Sequence, residues 1–347
     1  VRIMTGAPMP PGADSVVPFE ETDEYDWATR ESARRPGAWQ DAPRESVRID
    51  VEAKPGANIR PAGEDVREGE RVLPRGTLIG PAQVGVLASL GLATVRCHRR
   101  PVVAVLSTGD ELLRPGEPLA PGKIYDANTF SLAAQVRAFG GEPLILDVAR
   151  DSVDALTGRI HEALARADML VTSAGVSRGD FDVVKTVLAQ EGEVGFWTVR
   201  MKPGKPLAFG TFRAPDGRTV PHVGLPGNPV SAVVTFELFG RAALFKMLGR
   251  LQADPAAWQR PTVRAIALDR ITNSDGRRFY ARGVASQRPE DGRWVVRLTG
   301  PQGSGVLTSM SLANAYAVLP EGVTAIEPGE ECEVMLVDRD LPVPPPA

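Results

Sequence analysis

Between residues 100 and 250, the sequence alternates short β-branched, apolar runs with amphipathic stretches that end in glycine. PVVAVLST, EPLILDVA and DMLVTSA have the composition of buried strands, and NTFSLAAQVRAFG and SVDALTGRIHEALARA have helical periodicity. The pattern continues with the helix DFDVVKTVLAQEG, the strands VGFWTVRM and TVPHVGLPG, and a long helix that starts near Pro229. This alternation predicts βαβ units and a mostly parallel sheet. Such sheets bind ligands at the carboxyl ends of their strands, which makes STGDELL, SAGVSRGDFD, MKPGKP and GLPGNPVS candidate site loops.

The flanking regions have different patterns. After Gln252, strand-like segments such as TVRAIAL, RRFYARGVAS and AYAVLP are separated by turns, which predicts a small β-barrel-like domain over residues 258–338. Residues 1–52 combine short apolar pieces with a long polar stretch and predict a partly β region. Residues 53–99 are rich in turn signals and contain one helix, PAQVGVLASLG. The predicted fold is therefore multidomain α/β plus β, with a central α/β domain over residues 100–250.

The composition excludes several classes of function. The chain has 347 residues and a formal net charge of −3, so no general attraction to nucleic acid or membranes is expected. Its two cysteines and three scattered histidines lack metal-ligand spacing, which argues against an ordinary zinc site. With no signal peptide and no apolar run of about 18 residues, we expect a cytoplasmic protein. Because Val1 lies inside a patterned segment, we expect the sequence to lack an N-terminal part.

The segment MKPGKP places Lys202 and Lys205 on either side of a Pro-Gly pair. Proline fixes φ and favours extended backbone in the residue before it, while Gly204 is free to take a left-handed turn. The segment therefore predicts a strand, a rigid turn that holds two ammonium groups close together, and a short strand. A solvated turn is one interpretation, and a site for phosphate or another oxyanion is the other.

The segment STGDELL follows the first strand of the predicted sheet. Asp110 and Glu111 could hold Mg²⁺, which prefers oxygen ligands and retains several waters. The spacing from Thr108 to Glu111 also fits a capping box, which would only start a helix. The residues alone leave both interpretations open.

The segment SAGVSRGDFD contains the G-x-S-x-G pattern of a hydrolase nucleophile at Ser177, and His222 lies downstream as a base. In the rival interpretation, glycines such as Gly175 allow a ligand to approach the backbone closely, and Ser177 is a hydrogen-bond donor. Asp180 and Asp182 would then cap the next helix or bind the ligand.

The segment GLPGNPVS leads from a strand into a helix. Asn228 can cap this helix, Pro229 suits its first turn, and Ser231 presents a hydroxyl near free N–H groups that can bind an anion. Because the MKPGKP loop is next in strand order, the two loops together favour a phosphate-bearing ligand. The sequence has neither a Walker A motif nor a G-x-G-x-x-G fingerprint, so an ordinary nucleotide-binding fold is not supported.

Eight ordered motifs cover nearly the whole chain, from Arg2 to about Val337. They are RIMTGAPMPPGADSVVPFEET, NIRPAGEDVREGE, VAVLSTGDEL, GKIYDANTFSL, TSAGVSRGDFDVVK, MKPGKPLAFG, GLPGNPVSAVVTFELF and QGSGVLTSMSLANAYAVLPEG. Together they resemble the molybdopterin molybdenumtransferase family of molybdenum-cofactor biosynthesis, which is related to the C-terminal domain of gephyrin. The resemblance implies that residues 100–250 form a molybdopterin-binding domain.

The resemblance also implies a reaction. Its substrates would be molybdate and adenylylated molybdopterin, and molybdenum insertion would release AMP, with Mg²⁺ taking part. The working unit would be an elongated homodimer, with other molybdenum-cofactor biosynthesis proteins as further candidate partners.

Site residues follow from the resemblance motif by motif. The implied catalytic residues are Glu111, Asp126, Ser177 and Asp182, and the implied metal ligands are Asp110, Glu111 and Asp182. The implied substrate-binding residues are Ser107, Thr108, Gly109, Gly175, Lys202, Lys205, Gly227, Asn228, Ser231, Arg282 and Ser309.

The sequence departs from the family pattern at three points. Ala174 stands where many relatives have glycine, and Arg178 stands where many have a smaller residue. The family's N-terminal helical segment with its NSAMDGYA motif, which contributes a site aspartate, is absent. Two alternatives to the transferase stay open, namely a non-catalytic gephyrin-like scaffold and a serine hydrolase that uses Ser177.

Overall fold

The computed structural model describes residues 1–26, 31–32, 46–175 and 183–337. The chain divides into two compact units, residues 1–73 and residues 74–347. The division falls inside residues 53–99, the region whose sequence is rich in turn signals.

The first unit contains little regular structure. A 3₁₀ turn, Phe19–Glu21, precedes strand β1 (Tyr25–Asp26), which pairs antiparallel with β2 (Glu31–Ser32). Thr22 forms one further antiparallel bridge with Ile49. The prediction of a partly β region is confirmed, while most of its long polar stretch lies outside the described residues.

The second unit begins with helix α1 (Pro81–Ser89), as predicted, and continues into an α/β domain. The further elements of this domain are β3 (Val102–Ser107), β4 (Leu112–Leu113), β5 (Ile124–Tyr125), α2 (Asn128–Ala138), β6 (Glu142–Ile145), α3 (Val153–Arg166), β7 (Met169–Ser173), α4 (Val183–Glu191), β8 (Gly192–Thr198), β9 (Met201–Lys202), β10 (Pro206–Arg213), β11 (Thr219–Leu225), α5 (Pro229–Thr235), a π-helical turn (Phe236–Gly240), α6 (Arg241–Met247) and a 3₁₀ turn (Arg250–Gln252).

The central sheet has six strands in the order β6-β3-β7-β11-β10-β8. The first four are parallel, and β10 is antiparallel to both of its neighbours, so the predicted mostly parallel sheet is confirmed. Buried side chains cover both faces of this sheet. One cluster includes Leu156, Ile160 and Leu188, and the other includes Leu132 and Phe236. Burial on both faces explains why the sequence of β3 and β7 is apolar throughout rather than alternating.

The C-terminal domain is a closed barrel. Strands β12, β14, β15, β16 and β18 follow the order β15-β12-β18-β16-β14, and β14 pairs with β15 to close the ring. The elements of this domain are β12 (Thr262–Ala267), β13 (Ile271–Thr272), β14 (Arg278–Gln287), β15 (Trp294–Leu298), α7 (Leu307–Ser311), β16 (Ala315–Leu319), β17 (Ala325–Ile326) and β18 (Glu331–Leu336). The predicted small β-barrel-like domain is confirmed.

Three local predictions need correction. The segment VGFWTVRM is not one strand, because Met201 and Lys202 leave the central sheet and pair with the start of β14 in the barrel. The long helix predicted from Pro229 is present but contains the π-helical turn. No helix starts in the capping-box segment, because Gly109 has φ +144° and the chain turns into β4 instead.

Candidate functional site

A cleft of about 940 Å³ opens where the ends of β3, β7 and β11 meet the barrel. Loops from both domains line it, and they include the four that the sequence singled out. The predicted site residues that line the cleft are Ser107, Thr108, Glu111, Asp126, Gly175, Lys202, Lys205, Gly227, Asn228 and Ser231. Residues far apart in the chain therefore share one polar cavity, as expected for the carboxyl edge of a parallel sheet.

The MKPGKP loop connects the two domains. Lys202 belongs to β9 in the barrel sheet, whereas Pro206 begins β10 in the central sheet. Gly204 has φ +99°, and a Cβ at this position would overlap the Thr235 hydroxyl. Only glycine suits both constraints, so the turn places the two lysines in a fixed, half-buried loop.

The two lysines have different surroundings. Lys202 Nζ lies 4.0 Å from Asp275 Oδ2 and 5.2 Å from the centre of the Phe279 ring. Lys205 is exposed and forms no ion pair within the described part of the chain. Lys205 therefore presents the less compensated positive charge to the cleft.

The carboxylates also differ in position. Asp126 is buried, and its Oδ1 accepts hydrogen bonds from Ser107 Oγ at 3.2 Å and from Thr129 N at 3.0 Å. Glu111 lines the cleft, and its carboxylate covers Gly109, which itself is not a lining residue. Asp110 is turned away from the cleft, since its Oδ1 accepts from Asp151 N at 3.4 Å. Its role as a metal ligand is therefore not supported by its placement.

Two of the implied oxyanion ligands are buried. Arg282 has no exposed surface, and it donates to Ser309 Oγ at 2.8 Å and to the carbonyls of Pro301 and Gly303 at 3.0 and 3.1 Å. Neither Arg282 nor Ser309 lines the cleft, and their role as direct ligands stays a prediction. The hydrogen bonds from Arg282 hold the segment 301–304 in place. A buried guanidinium needs several such acceptors to offset its lost hydration. Burial also lowers the pKa of Arg282.

Ser177 and Asp182 lie outside the described residues, but the proposed base of the hydrolase alternative does not. His222 is fully buried in β11, shares a hydrogen bond with Thr172 Oγ1 at 3.0 Å, and does not line the cleft. Burial lowers the pKa of His222 to about 3. The other two histidines, His98 and His161, are exposed outside the cleft. The burial of His222 therefore argues against its role as the base of a serine hydrolase.

Asn128 and Arg277 line the cleft and were missed from the sequence. Asn128 Nδ2 donates to Ser173 Oγ and to the Gly227 carbonyl, both at 2.7 Å, and so joins α2 to the end of β7 and to the loop after β11. Arg277 Nη1 donates to the Met201 carbonyl at 3.0 Å. In the sequence, Asn128 can be recognised as a residue at a helix start, and Arg277 as a residue that follows the turn NSDG. Neither pattern specifies the distant residue that the side chain contacts.

The described residues hold no group of three or more His, Cys, Asp or Glu side chains arranged for a metal ion. No helix in the described ranges is long and apolar enough to cross a membrane. The fold and the cleft thus define a multidomain α/β plus β protein whose site combines cations with carboxylates.

Comparisons with known proteins identify the family. Three family models match in chain order. They are described as the MoeA N-terminal region (domain I and II) at residues 1–91, a probable molybdopterin binding domain at 104–246, and the MoeA C-terminal region (domain IV) at 264–337.

Named relatives cover almost the entire chain. A molybdopterin molybdenumtransferase from Haemophilus influenzae is 36% identical over 95% of this chain and 75% of its own length. A molybdopterin molybdenumtransferase from Nostoc is 35% identical over 96% of this chain and 71% of its own length. Gephyrin from Dictyostelium discoideum is 34% identical over 97% of this chain and 48% of its own length.

Solved structures give the same answer. The molybdopterin biosynthesis MoeA protein from Pyrococcus horikoshii superposes with a TM-score of 0.71 and 27% identity, over 96% of this chain and 74% of that one. The chain belongs to the molybdopterin molybdenumtransferase family, whose members are transferases of molybdenum-cofactor biosynthesis.

Proposed function

We propose that this transferase inserts molybdenum from molybdate into adenylylated molybdopterin, with release of AMP. The observation that supports this reaction is the composition of the cleft. Lys202 and Lys205 line it from the MKPGKP loop, and Arg277 lines it from the barrel. Glu111 and Asp126 line it from the segment between β3 and α2. Such a cleft suits one substrate that is a tetrahedral dianion and another that carries phosphates.

Lys205 is the proposed primary ligand for molybdate. Its ammonium group has no ion-pair partner in the described residues, and the Gly204 turn fixes its backbone. A cation that is already in place loses little conformational freedom when it binds an anion. Lys202 would bind the same anion from the barrel edge, held by Asp275 and by the ring of Phe279.

The pterin substrate would lie along the loops after β7 and β11. Gly175, Gly227 and Asn228 line this part of the cleft, and their backbone allows close approach of a planar ring system. Ser231, a buried residue near the start of α5, adds a hydroxyl. Ser177 and Asp182 keep their proposed catalytic roles on the basis of the family motif alone.

The donor chemistry of the cleft fits Mg²⁺, which commonly binds one or two carboxylates together with substrate phosphates and water. Glu111 and Asp126 would hold it, and the ion would offset phosphate charge during the reaction. The Ser107 hydroxyl and the Thr129 amide orient Asp126 by hydrogen bonds, so this carboxylate is positioned before any ligand arrives.

The test is turnover combined with molybdate binding. Protein with adenylylated molybdopterin, molybdate and Mg²⁺ should release AMP, and Lys205→Ala should bind molybdate about tenfold more weakly or worse. That factor follows from a charge-assisted contact worth about 1.5–3 kcal/mol. Lys205→Arg should rescue only part of the loss, because a planar fork does not replace a point charge.

Lys246→Ala is the matched control, because Lys246 is an exposed lysine on α6 outside the cleft. Calorimetry with molybdate gives the affinities, and circular dichroism checks the fold. No AMP release with any divalent metal would contradict the reaction. Equal molybdate affinity in Lys205→Ala and wild type would contradict the role of Lys205.

The proposal also includes a homodimer, a cytoplasmic location and contacts with other molybdenum-cofactor biosynthesis proteins. Sedimentation analysis should give twice the chain mass for the dimer, and a single-chain mass at micromolar concentration would refute it.

A further inference from the structure

The Asp275 carboxylate serves two cations of the cleft at once. Its Oδ2 accepts a hydrogen bond from Arg277 Nη2 and lies 4.0 Å from Lys202 Nζ. Its Oδ1 accepts from the backbone N–H of Arg277 at 3.2 Å. Asp275 itself does not line the cleft, whereas Lys202 and Arg277 do. The single negative charge of Asp275 therefore compensates two of the positive charges that line the cleft, those of Lys202 and Arg277.

Arg277 connects this carboxylate to the lysine loop. Its Nη1 donates to the carbonyl of Met201, the residue directly before Lys202. The guanidinium is thus anchored at both ends, on Asp275 and on β9. Arg277 and Lys202 together hold the pKa of Asp275 below its ordinary value, with the hydrogen bond from Arg277 as the largest favourable cause, so the carboxylate stays ionised at neutral pH.

The cations of the cleft differ in how far their charge is compensated by a nearby carboxylate. Lys202 and Arg277 share the compensating charge of Asp275, and about a third of each of these three side chains is exposed. Lys205 is exposed and has no such partner in the described ranges. Arg270 also lines the cleft and is paired with Glu327. An anion in the cleft is attracted by these cations and repelled by Asp275.

We propose that Asp275 is a specificity-determining residue that positions Lys202 and Arg277 and lowers the affinity of the cleft for tetrahedral dianions relative to monoanions. The inference rests on the proposed oxyanion role of the cleft. Repulsion from a fixed charge is proportional to the charge of the ligand, so a dianion is penalised about twice as much as a monoanion. A substrate anion that must pass to a second substrate gains nothing from very tight ground-state binding.

The test compares Asp275→Asn with wild type in calorimetric titrations with molybdate, a dianion, and perrhenate, a monoanion of the same tetrahedral shape. Asparagine keeps the size and one acceptor for Arg277 but removes the charge. We expect affinity to rise about fivefold for molybdate and about twofold for perrhenate, from the Coulomb interaction in a largely solvated site. Asp291→Asn is the control, because Asp291 pairs with Arg288 on the barrel surface away from the cleft.

The ratio between the changes in molybdate affinity and in perrhenate affinity distinguishes an effect of the Asp275 charge from a purely structural effect of the substitution. If Asp275 had only a structural role, the asparagine variant would bind both anions more weakly by a similar factor, and that result would overturn the proposal, as would unchanged affinities. Asp275→Ser provides a second uncharged variant if asparagine lowers the melting temperature.

Lys205→Ala in the same titrations distinguishes this inference from the proposed function. Weaker molybdate binding by Lys205→Ala with no change in Asp275→Asn refutes the role of Asp275 alone. Unchanged molybdate binding by Lys205→Ala, together with the expected rise in Asp275→Asn, refutes the role of Lys205 and supports that of Asp275. A wild-type protein that binds neither anion refutes both.

Discussion

Lys202 and Phe279 stand opposite each other where β9 pairs with β14, and Lys202 Nζ lies 5.2 Å from the centre of the Phe279 ring. Phe279 is buried in the barrel, so the position of Lys202 depends on the barrel rather than on the α/β sheet. Lys205 lies three residues later, directly before β10 of the central sheet. The relative placement of the two domains therefore sets the distance between the two ammonium groups.

Gly204→Ala should destabilise the protein and weaken molybdate binding. The added methyl group would overlap Thr235 Oγ1 and come within 3.0 Å of Met201 Cε, at a φ of +99°. We expect a loss of about 2–4 kcal/mol in the free energy of unfolding, from strain and overpacking combined. Gly217→Ala is the control, because Gly217 has φ +85° but open space around it, and should cost only about 1–2 kcal/mol. Urea unfolding measures both, and equal losses would show that the contact with Thr235 is unimportant.

Arg282→Gln should lower the free energy of unfolding by about 2–4 kcal/mol. The change removes the two hydrogen bonds that the Arg282 guanidinium donates to the carbonyls of Pro301 and Gly303, and a hydrogen bond to a charged group contributes about 1.5–3 kcal/mol. Arg297→Gln, at an exposed arginine on β15, should change it by no more than about 0.5 kcal/mol. If Arg282→Gln is as stable as wild type and only anion binding falls, the arginine acts as a direct ligand and the structural assignment is wrong.

Ala174→Gly should stabilise the protein by about 1 kcal/mol. Ala174 has φ +80°, a backbone conformation that costs an L-residue about 1–2 kcal/mol. Glycine removes this strain, but its greater conformational entropy in the unfolded chain offsets part of the gain in stability. Ala253→Gly is the control, since Ala253 has φ −85° and is exposed, and this change should destabilise. A loss of stability in Ala174→Gly, measured by urea unfolding, would mean that the methyl packing outweighs the backbone strain.

His222 should make stability fall with decreasing pH. Its pKa is about 3 in the folded protein against an ordinary value of 6.5, so below pH 6.5 the unfolded chain binds a proton that the native chain does not. The free energy of unfolding should therefore decrease by about 1.4 kcal/mol per pH unit between pH 6.5 and pH 3 from this residue alone.

The measurement is urea unfolding at pH 7, 6 and 5 for wild type, His222→Gln and His161→Gln. The slope against pH should be shallower in His222→Gln. It should change far less in His161→Gln, because His161 is exposed on α3 and its pair with Glu191 lies at the surface, where such pairs contribute little. Identical slopes in all three proteins would contradict a neutral, buried His222.

The local patterns of the sequence were sufficient for the architecture. Strands β3 and β7 are apolar because they are buried on both faces, and that composition is visible without a structure. The same alternation with helices implies a parallel sheet, and a parallel sheet brings the loops after its strands to one edge. For this reason the loops with Glu111 and Asn228 were correctly expected in one cleft.

Long-range pairing was decided only by the tertiary structure. The segment VGFWTVRM reads as one strand, yet Met201 and the following Lys202 belong to the barrel, because their backbone pairs with residues 278 and 279. The hydrogen bond from Arg277 to Met201 spans 76 positions, and no periodicity encodes a partner at that distance. Burial was equally invisible, since the sequence could not tell that Arg282 and His222 have no exposed surface. Sequence periodicity specifies which face of an element is apolar, whereas the environment of a charged side chain depends on what other elements pack against it.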